Sequence, residues 1–308
     1  MSKKILLAVV GPTAIGKTAT GILLAQHFKT EIISADSRQF FKEMEIGTAV
    51  PSKKELAAAP HHFIQHKSIF EPYSVGDFEK EAIELLNQLF QTKDLVVMVG
   101  GSGLYVDAVV SGLDEFPDVD PAIRERLNQK FQDEGIESLQ KELQTRDPEY
   151  FKVVDQDNPH RLIRALEVSI AANKPYSSFL DQHKPKRDFE SLYIGLNAPR
   201  EVIYDRINTR VDLMMEAGLL EEAKQLYPHK DLNALQTVGY KELFEYLGGN
   251  CTLNVAVSEI KKNTRRFAKR QLTWLRKNEN IIWVEYDTNP DILINKITNQ
   301  LKSLQHAP

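Results

Sequence analysis

Cysteine is almost missing from this 308-residue chain. The single Cys251 excludes an internal disulfide framework and fits a reducing compartment. Long apolar runs are missing too. The longest candidate near the start, in MSKKILLAVVG, is far below the roughly 18 residues of a membrane span, and it passes straight into a glycine-rich loop rather than into a cleavage site. Neither internal repeats nor low-complexity tracts occur. A cytoplasmic protein without a membrane partner is therefore expected, and a monomer. The D-x-x-G and N-K-x-D elements of a guanine-reading switch are absent as well. With 42% hydrophobic and 27% charged residues, the composition is that of an ordinary globular chain rather than a disordered one.

The features that are present begin at residue 11. GPTAIGKT, formed by Gly11, Pro12, Thr13, Ala14, Ile15, Gly16, Lys17 and Thr18, has the form G-x-x-x-x-G-K-T and comes directly after the apolar run KILLAVV. Between a strand and a helix, such a loop turns its N–H groups around a phosphate, while the Lys adds an ammonium and the Thr a Mg²⁺-binding hydroxyl. Apolar segments at 4–10, 31–35, 95–99, 192–196 and 281–285, separated by helical periodicity, predict an α/β fold: a parallel P-loop sheet flanked by helices. About ninety residues separate the third and fourth segments, too many for one crossover. Their helical pattern, with Pro121 and Pro159 at first-turn positions, predicts an all-helical insertion at 114–188, bracketed by GLDEFPDVDP and DQHKPKRD, inside a core of 1–113 and 189–308.

Ligands of an open parallel sheet lie at the carboxyl ends of its strands. Two further motifs sit at strand ends. ADSRQF places Asp36 and Ser37 facing the phosphate loop, with Asp36 open to three readings: a group near the metal, a general base, or a helix N-cap. VGGSGLY offers Ser102 and glycines that would let backbone approach a ligand. The net charge of −4 is unremarkable, but residues 261–277 carry eight Lys or Arg and no acid. On a helix, Lys262, Arg266, Arg270, Thr273 and Lys277 share one stripe, opposite Ile260, Phe267 and Trp274. This predicts a packed face with Phe267 and Trp274 in the core, and a basic face for a phosphate backbone. HHFIQH has three histidines but no Cys partner, so zinc is not expected.

GPTAIGKT, ISADSRQFFKEMEIGTA, PHHFI, YSVGDFEKEA, VGGSGLYVDAV, NPHRLIRALEV, TVGYKEL and RRFAKRQLTWLRK together resemble the bacterial tRNA dimethylallyltransferases (tRNA isopentenyltransferases), over about residues 4–285. The resemblance implies a Mg²⁺-dependent prenyltransferase. It would move a dimethylallyl group from dimethylallyl diphosphate to N6 of the adenosine 3′ of the anticodon. By the same resemblance Lys17, Thr18 and Arg210 would hold the diphosphate and Asp36 would act as the base. Ser37, Arg38, Gln39, Ser102 and Arg124 would line the adenosine's path. His160, Arg161, Arg164, Gln236, Lys241, Lys269, Arg270 and Arg276 would grip the anticodon stem-loop. Two positions depart from the family: Ser102 where Thr is common, and Gln65 where Asp is expected. A small-molecule or nucleotide kinase using ATP would explain the loop but not the basic helix. An RNA-binding protein with a vestigial loop would not need an intact Lys17, Thr18 and Asp36.

Overall fold

The computed structural model describes residues 3–180 and 185–306. Ile5–Val10 (β1) is buried at every position, as a strand covered on both faces must be. With Ile32–Ser34 (β2), His61–His62 (β3), Leu95–Gly100 (β4), Glu190–Asn197 (β5) and Ile281–Glu285 (β6) it forms one parallel sheet, ordered β3-β2-β4-β1-β5-β6. β1 is flanked along its length, with Val9 opposite Val99 on one side and Ile194 on the other. The edge strand β3 was not legible as a strand, because two residues paired with Ile32 and Ile33 are too few to alternate.

Lys17–His27 (α1) leaves the phosphate loop. Lys53–Ala58 (α2) and Val75–Leu89 (α3) come next, each opened by a Ser whose hydroxyl accepts the N–H of the acid three residues on, Ser52 with Glu55 and Ser74 with Asp77. Gly103–Ser111 (α4) leaves β4. Pro121–Glu134 (α5), Ile136–Arg146 (α6), Pro148–Phe151 (α7) and Pro159–Ala172 (α8) continue the chain, with Pro121 and Pro159 in first turns, where a missing N–H costs nothing. After β5 come Arg200–Glu216 (α9), Leu219–Leu226 (α10), Tyr240–Leu247 (α11), Leu253–Leu275 (α12) and, beyond β6, Pro290–His306 (α13).

The chain folds as two compact units, Met1–Val110 with Arg187–Pro308, and Ser111–Lys186. In the first, the two-residue period of β1 sorts its side chains to opposite sides of the sheet. Ile5, Leu7 and Val9 pack with Leu24, Ile203 and Ile297. Leu6, Ala8 and Val10 pack with Phe78, Leu86 and Val109. Each fully buried Leu or Ile contributes about 1.5–3 kcal/mol. A further cluster beyond the sheet joins Met44, Leu219, Leu235, Tyr240 and Ile260. The second unit has its own core of Leu127, Leu139, Leu143, Leu162 and Leu166. The segment DQHK at 181–184, part of the bracket expected around the insertion, lies outside the described residues.

Candidate active site

The loop after β1 turns at Gly16, whose φ of 111° is a conformation that side chains rarely adopt. No side chain caps α1, so the first N–H groups of that helix are left for a ligand or water. The Lys17 ammonium curls back to donate to the carbonyl of Pro12 at 2.8 Å. Burial lowers the Lys17 pKa to about 8, with Asp36 pulling it up and Arg210 pushing it further down. Those three groups are therefore close enough to feel one another, although they come from the start of α1, the turn after β2 and α9. Burial also lowers Arg210, while Asp36 and Glu55 push it back up.

At the end of β2, residues 37–40 form turns and no helix begins, which removes the N-cap reading of Asp36. Its Oδ1 instead accepts the N–H of Arg38 at 3.2 Å, an arrangement that stiffens the turn and leaves the carboxylate on the cleft wall. The Ser37 and Ser102 hydroxyls meet at 3.3 Å, tying the ends of β2 and β4 together. Arg38 and Gln39 act differently from Asp36 and Ser37. The Arg38 guanidinium donates to the carbonyls of Asn233 and Ala234 at 3.2 and 2.9 Å. Gln39 is buried, donating to the carbonyls of Thr48 and Ala49 and accepting from the Ser34 hydroxyl. Both edge the cleft while holding its loops in place. The loop at 45–47 is fixed from the other side by Glu222, which accepts three consecutive N–H groups at 2.8–3.0 Å and the Tyr240 hydroxyl at 2.7 Å.

The glycines of VGGSGLY line the cleft, and they also make room for neighbouring protein. A Cβ on Gly100 would lie 2.8 Å from Ala35, and one on Gly101 would lie 2.4 Å from Gln271 Nε2. One on Gly103 would lie 2.3 Å from the Trp274 ring. Gln271, on α12, is buried, accepts the N–H of Thr13 and donates to the carbonyl of Gly101, both at 2.8 Å. It clamps the phosphate loop to the end of β4. Composition gave no sign of it, because a Gln amid basic residues reads as surface. Arg206 was missed likewise: its Nε donates to the carbonyl of Ala14 at 2.8 Å, one helical turn before Arg210.

Together these residues line a cleft of about 1170 Å³ that includes Lys17, Thr18, Asp36, Ser37, Ser102 and Arg210, with Gln236, Lys241 and Arg270 towards its rim. α12 corrects two further expectations. Phe267 and Trp274 are 37% and 42% exposed rather than in the core, and the buried face is Ala256, Ile260, Ala268, Gln271 and Leu275. The basic segment 261–277 is also partly neutralised by acids outside it. Lys261 bridges to Asp212 at 2.6 Å and Lys262 to Glu259 at 2.9 Å. Lys269, Arg270, Arg276 and Lys277 are exposed and have no ion-pair partner among the described residues. The three histidines of HHFIQH diverge: His61 meets the carbonyl of Ala59, His62 meets Glu31, and His66 packs among Phe40, Phe63 and Tyr73.

Within the insertion, Glu167 is buried and takes the Arg124 guanidinium through two hydrogen bonds of 2.6 and 2.8 Å, and that of Arg164 at 2.7 Å. Arg164 also lies 4.9 Å from the centre of the Phe116 ring. Arg124 and Arg164 therefore have structural partners of their own, whereas His160 and Arg161 on the first turn of α8 are exposed. The 161/164 pair does not present two equivalent free cations, because i+3 spacing turns Arg164 towards the acid one turn further on.

Residues 39–278 match the family model described as IPP transferase. A protein of Christiangramia forsetii named tRNA dimethylallyltransferase is 62% identical over 97% of this chain and 99% of its own length. One of Bacteroides fragilis named tRNA dimethylallyltransferase 1 is 45% identical over 95% and 97%. Among solved structures, a full-length tRNA isopentenylpyrophosphate transferase from Bacillus halodurans superposes with a TM-score of 0.73 at 38% identity, covering 99% of this chain and all of that one. A eukaryotic dimethylallyltransferase captured acting on tRNA superposes with a TM-score of 0.82 at 25% identity, over 98% of this chain and 80% of its own. Matched along nearly its whole length by relatives of one kind, the chain belongs to the IPP transferase family.

Proposed function

We propose that this enzyme transfers the dimethylallyl group of dimethylallyl diphosphate to N6 of the adenosine just 3′ of the anticodon in tRNA, releasing diphosphate. The observation that carries this reading is the meeting of Lys17, Arg210 and the uncapped start of α1 with the Asp36 carboxylate in one cleft. As the allylic C–O bond breaks, negative charge gathers on the departing diphosphate. Two cations and the loop N–H groups stand where that charge develops. The C–N bond forms from N6, and Asp36 takes the proton that the amine sheds. General-base help of this kind is worth roughly 10²–10⁴ in rate. Ser37 and Ser102 hold the turn that carries Asp36 in place.

The donor set also fits a Mg²⁺ ion that arrives with the substrate. Among the described residues no cluster of three His, Cys, Asp or Glu side chains could hold a metal alone, but the Thr18 hydroxyl lies on the cleft wall beside Lys17 and would reach an ion brought in by the diphosphate. Mg²⁺ is commonly held by one or two protein groups plus substrate phosphates. Bound there, it would supply charge neutralisation to the leaving diphosphate. The test of this reading is nucleoside analysis of unmodified tRNA after incubation with the protein, Mg²⁺ and labelled dimethylallyl diphosphate. Label on adenosine N6 supports it. No label with any tRNA, together with phosphate transfer from ATP to a small acceptor, would overturn it.

A further inference from the structure

Trp274 stands on the rim shared by two depressions. One is the cleft that holds Lys17 and Asp36, and the other is an open groove of about 410 Å³ on the outer side of α12, lined by Arg266, Lys269, Arg270, Thr273, Trp274 and Lys277. The indole is held in a fixed pose. Its N–H donates to the Asp107 carboxylate at 2.8 Å, and its ring lies so close to Gly103 that a Cβ there would meet it at 2.3 Å. In this pose 42% of the residue still faces solvent. The surroundings are cationic. The Lys277 ammonium lies 5.9 Å from the ring centroid, and further up the helix Arg270 lies 5.8 Å from the half-exposed ring of Phe267.

We infer that Trp274 is a stacking platform for an unpaired nucleobase of the RNA, the neighbour of the adenosine that enters the cleft, and that Asp107 is the positioning residue that sets the angle of the ring. The inference rests on the reading of tRNA as substrate. An adenosine that leaves its stack to reach Asp36 strips its neighbour of a stacking partner, a loss that an aromatic face at the mouth of the cleft restores. Cations around the ring suit an occupant whose backbone is a polyanion. A preformed ring also loses little rotamer freedom when it engages the base, because its N–H is already satisfied.

The experiment uses the full-length protein and an anticodon stem-loop RNA carrying 2-aminopurine beside the target adenosine. Trp274→Ala is expected to raise the dissociation constant for the RNA about 5- to 150-fold, with Trp274→Phe restoring most of the loss. The KM for dimethylallyl diphosphate should stay within about twofold, the range of a change that leaves the diphosphate site untouched. The 2-aminopurine signal should be quenched by the wild type and not by Trp274→Ala. The slope of log affinity against log salt should be unchanged in Trp274→Ala, whereas Lys269→Ala should lower it by about 0.7–0.9. Asp107→Ala should give an intermediate loss that Asp107→Asn partly repairs. Equal RNA affinity in wild type and Trp274→Ala, a base unquenched by the wild type, or a fall in salt slope in Trp274→Ala would overturn the inference while leaving the functional reading intact. Failure of the wild type to bind or modify any tRNA would overturn both.

Discussion

At the scale of single residues, the site turns on how burial tunes charge. Lys17 is held near a pKa of about 8 because burial disfavours its ammonium more than Asp36 favours it. Loss of that proton removes a cation from the anion site, so affinity for diphosphate should fall as pH rises through about 8. The limiting slope is about one decade per pH unit, since one proton is linked to binding. Measuring the dissociation constant of dimethylallyl diphosphate on both sides of that pH checks this, and Lys17→Arg, whose charge does not titrate there, should flatten the curve. A flat profile in the wild type would contradict it. Lys17, Thr18 and the fold of their loop were legible in the sequence because the motif is local: consecutive residues dictate the backbone. Asp36 was only half legible. Its N-cap reading needed a helix directly after it, and the chain makes a turn there instead.

At the scale of elements, the informative contacts are between strand ends and α12, which no local pattern encodes. The glycines at 100, 101 and 103 read as space for a ligand, but a sequence cannot say which protein neighbours also use the room a missing Cβ leaves. Those neighbours are Ala35, Gln271 and Trp274. Periodicity placed Phe267 and Trp274 on the same side of α12 as Ile260, but a shared side is not a shared depth. Ile260 packs beyond the sheet, whereas the two rings project at the cleft mouth. The Gln271 clamp has a direct consequence. Gly101→Ala would force its amide off the Gly101 carbonyl and crowd the Lys17 ammonium, 3.3 Å from the added carbon. We expect a loss of about 1–3 kcal/mol in stability, measured by thermal or urea unfolding, and weaker diphosphate binding. Gln271→Ser on the Gly101→Ala background should recover part of that loss, giving a non-additive double-mutant cycle. Strict additivity would show that the two residues do not meet.

At the scale of the whole molecule, a net charge of −4 conceals a basic edge beside the cleft. Lys269, Arg270, Arg276 and Lys277 have no ion-pair partner among the described residues, while Lys261 and Lys262 are paired within the fold. Affinity for tRNA should therefore drop steeply with salt despite the acidic total. Substitution of Lys269 and Arg270 by Ala should lower the log–log slope by about 0.7–0.9 for each phosphate that the variant no longer neutralises. Filter binding across a series of KCl concentrations measures this, and an unchanged slope in the double variant would place the RNA elsewhere. The parallel sheet was legible from spacing, since the length of a connection limits the structure it can form. The fate of individual arginines was not, because Arg124, Arg161 and Arg164 look alike in sequence and only the position of Glu167 separates them.

The sharpest check on the mechanism is the single-turnover rate of prenyl transfer to tRNA by Asp36→Ala, set beside its affinity for dimethylallyl diphosphate. If the carboxylate takes the proton from N6 while Lys17, Arg210 and the loop hold the leaving group, the rate constant should fall by roughly 10²–10⁴ with the diphosphate dissociation constant little changed. A rate near that of the wild type, or a loss of diphosphate binding large enough to explain the lost rate, would contradict that assignment of Asp36.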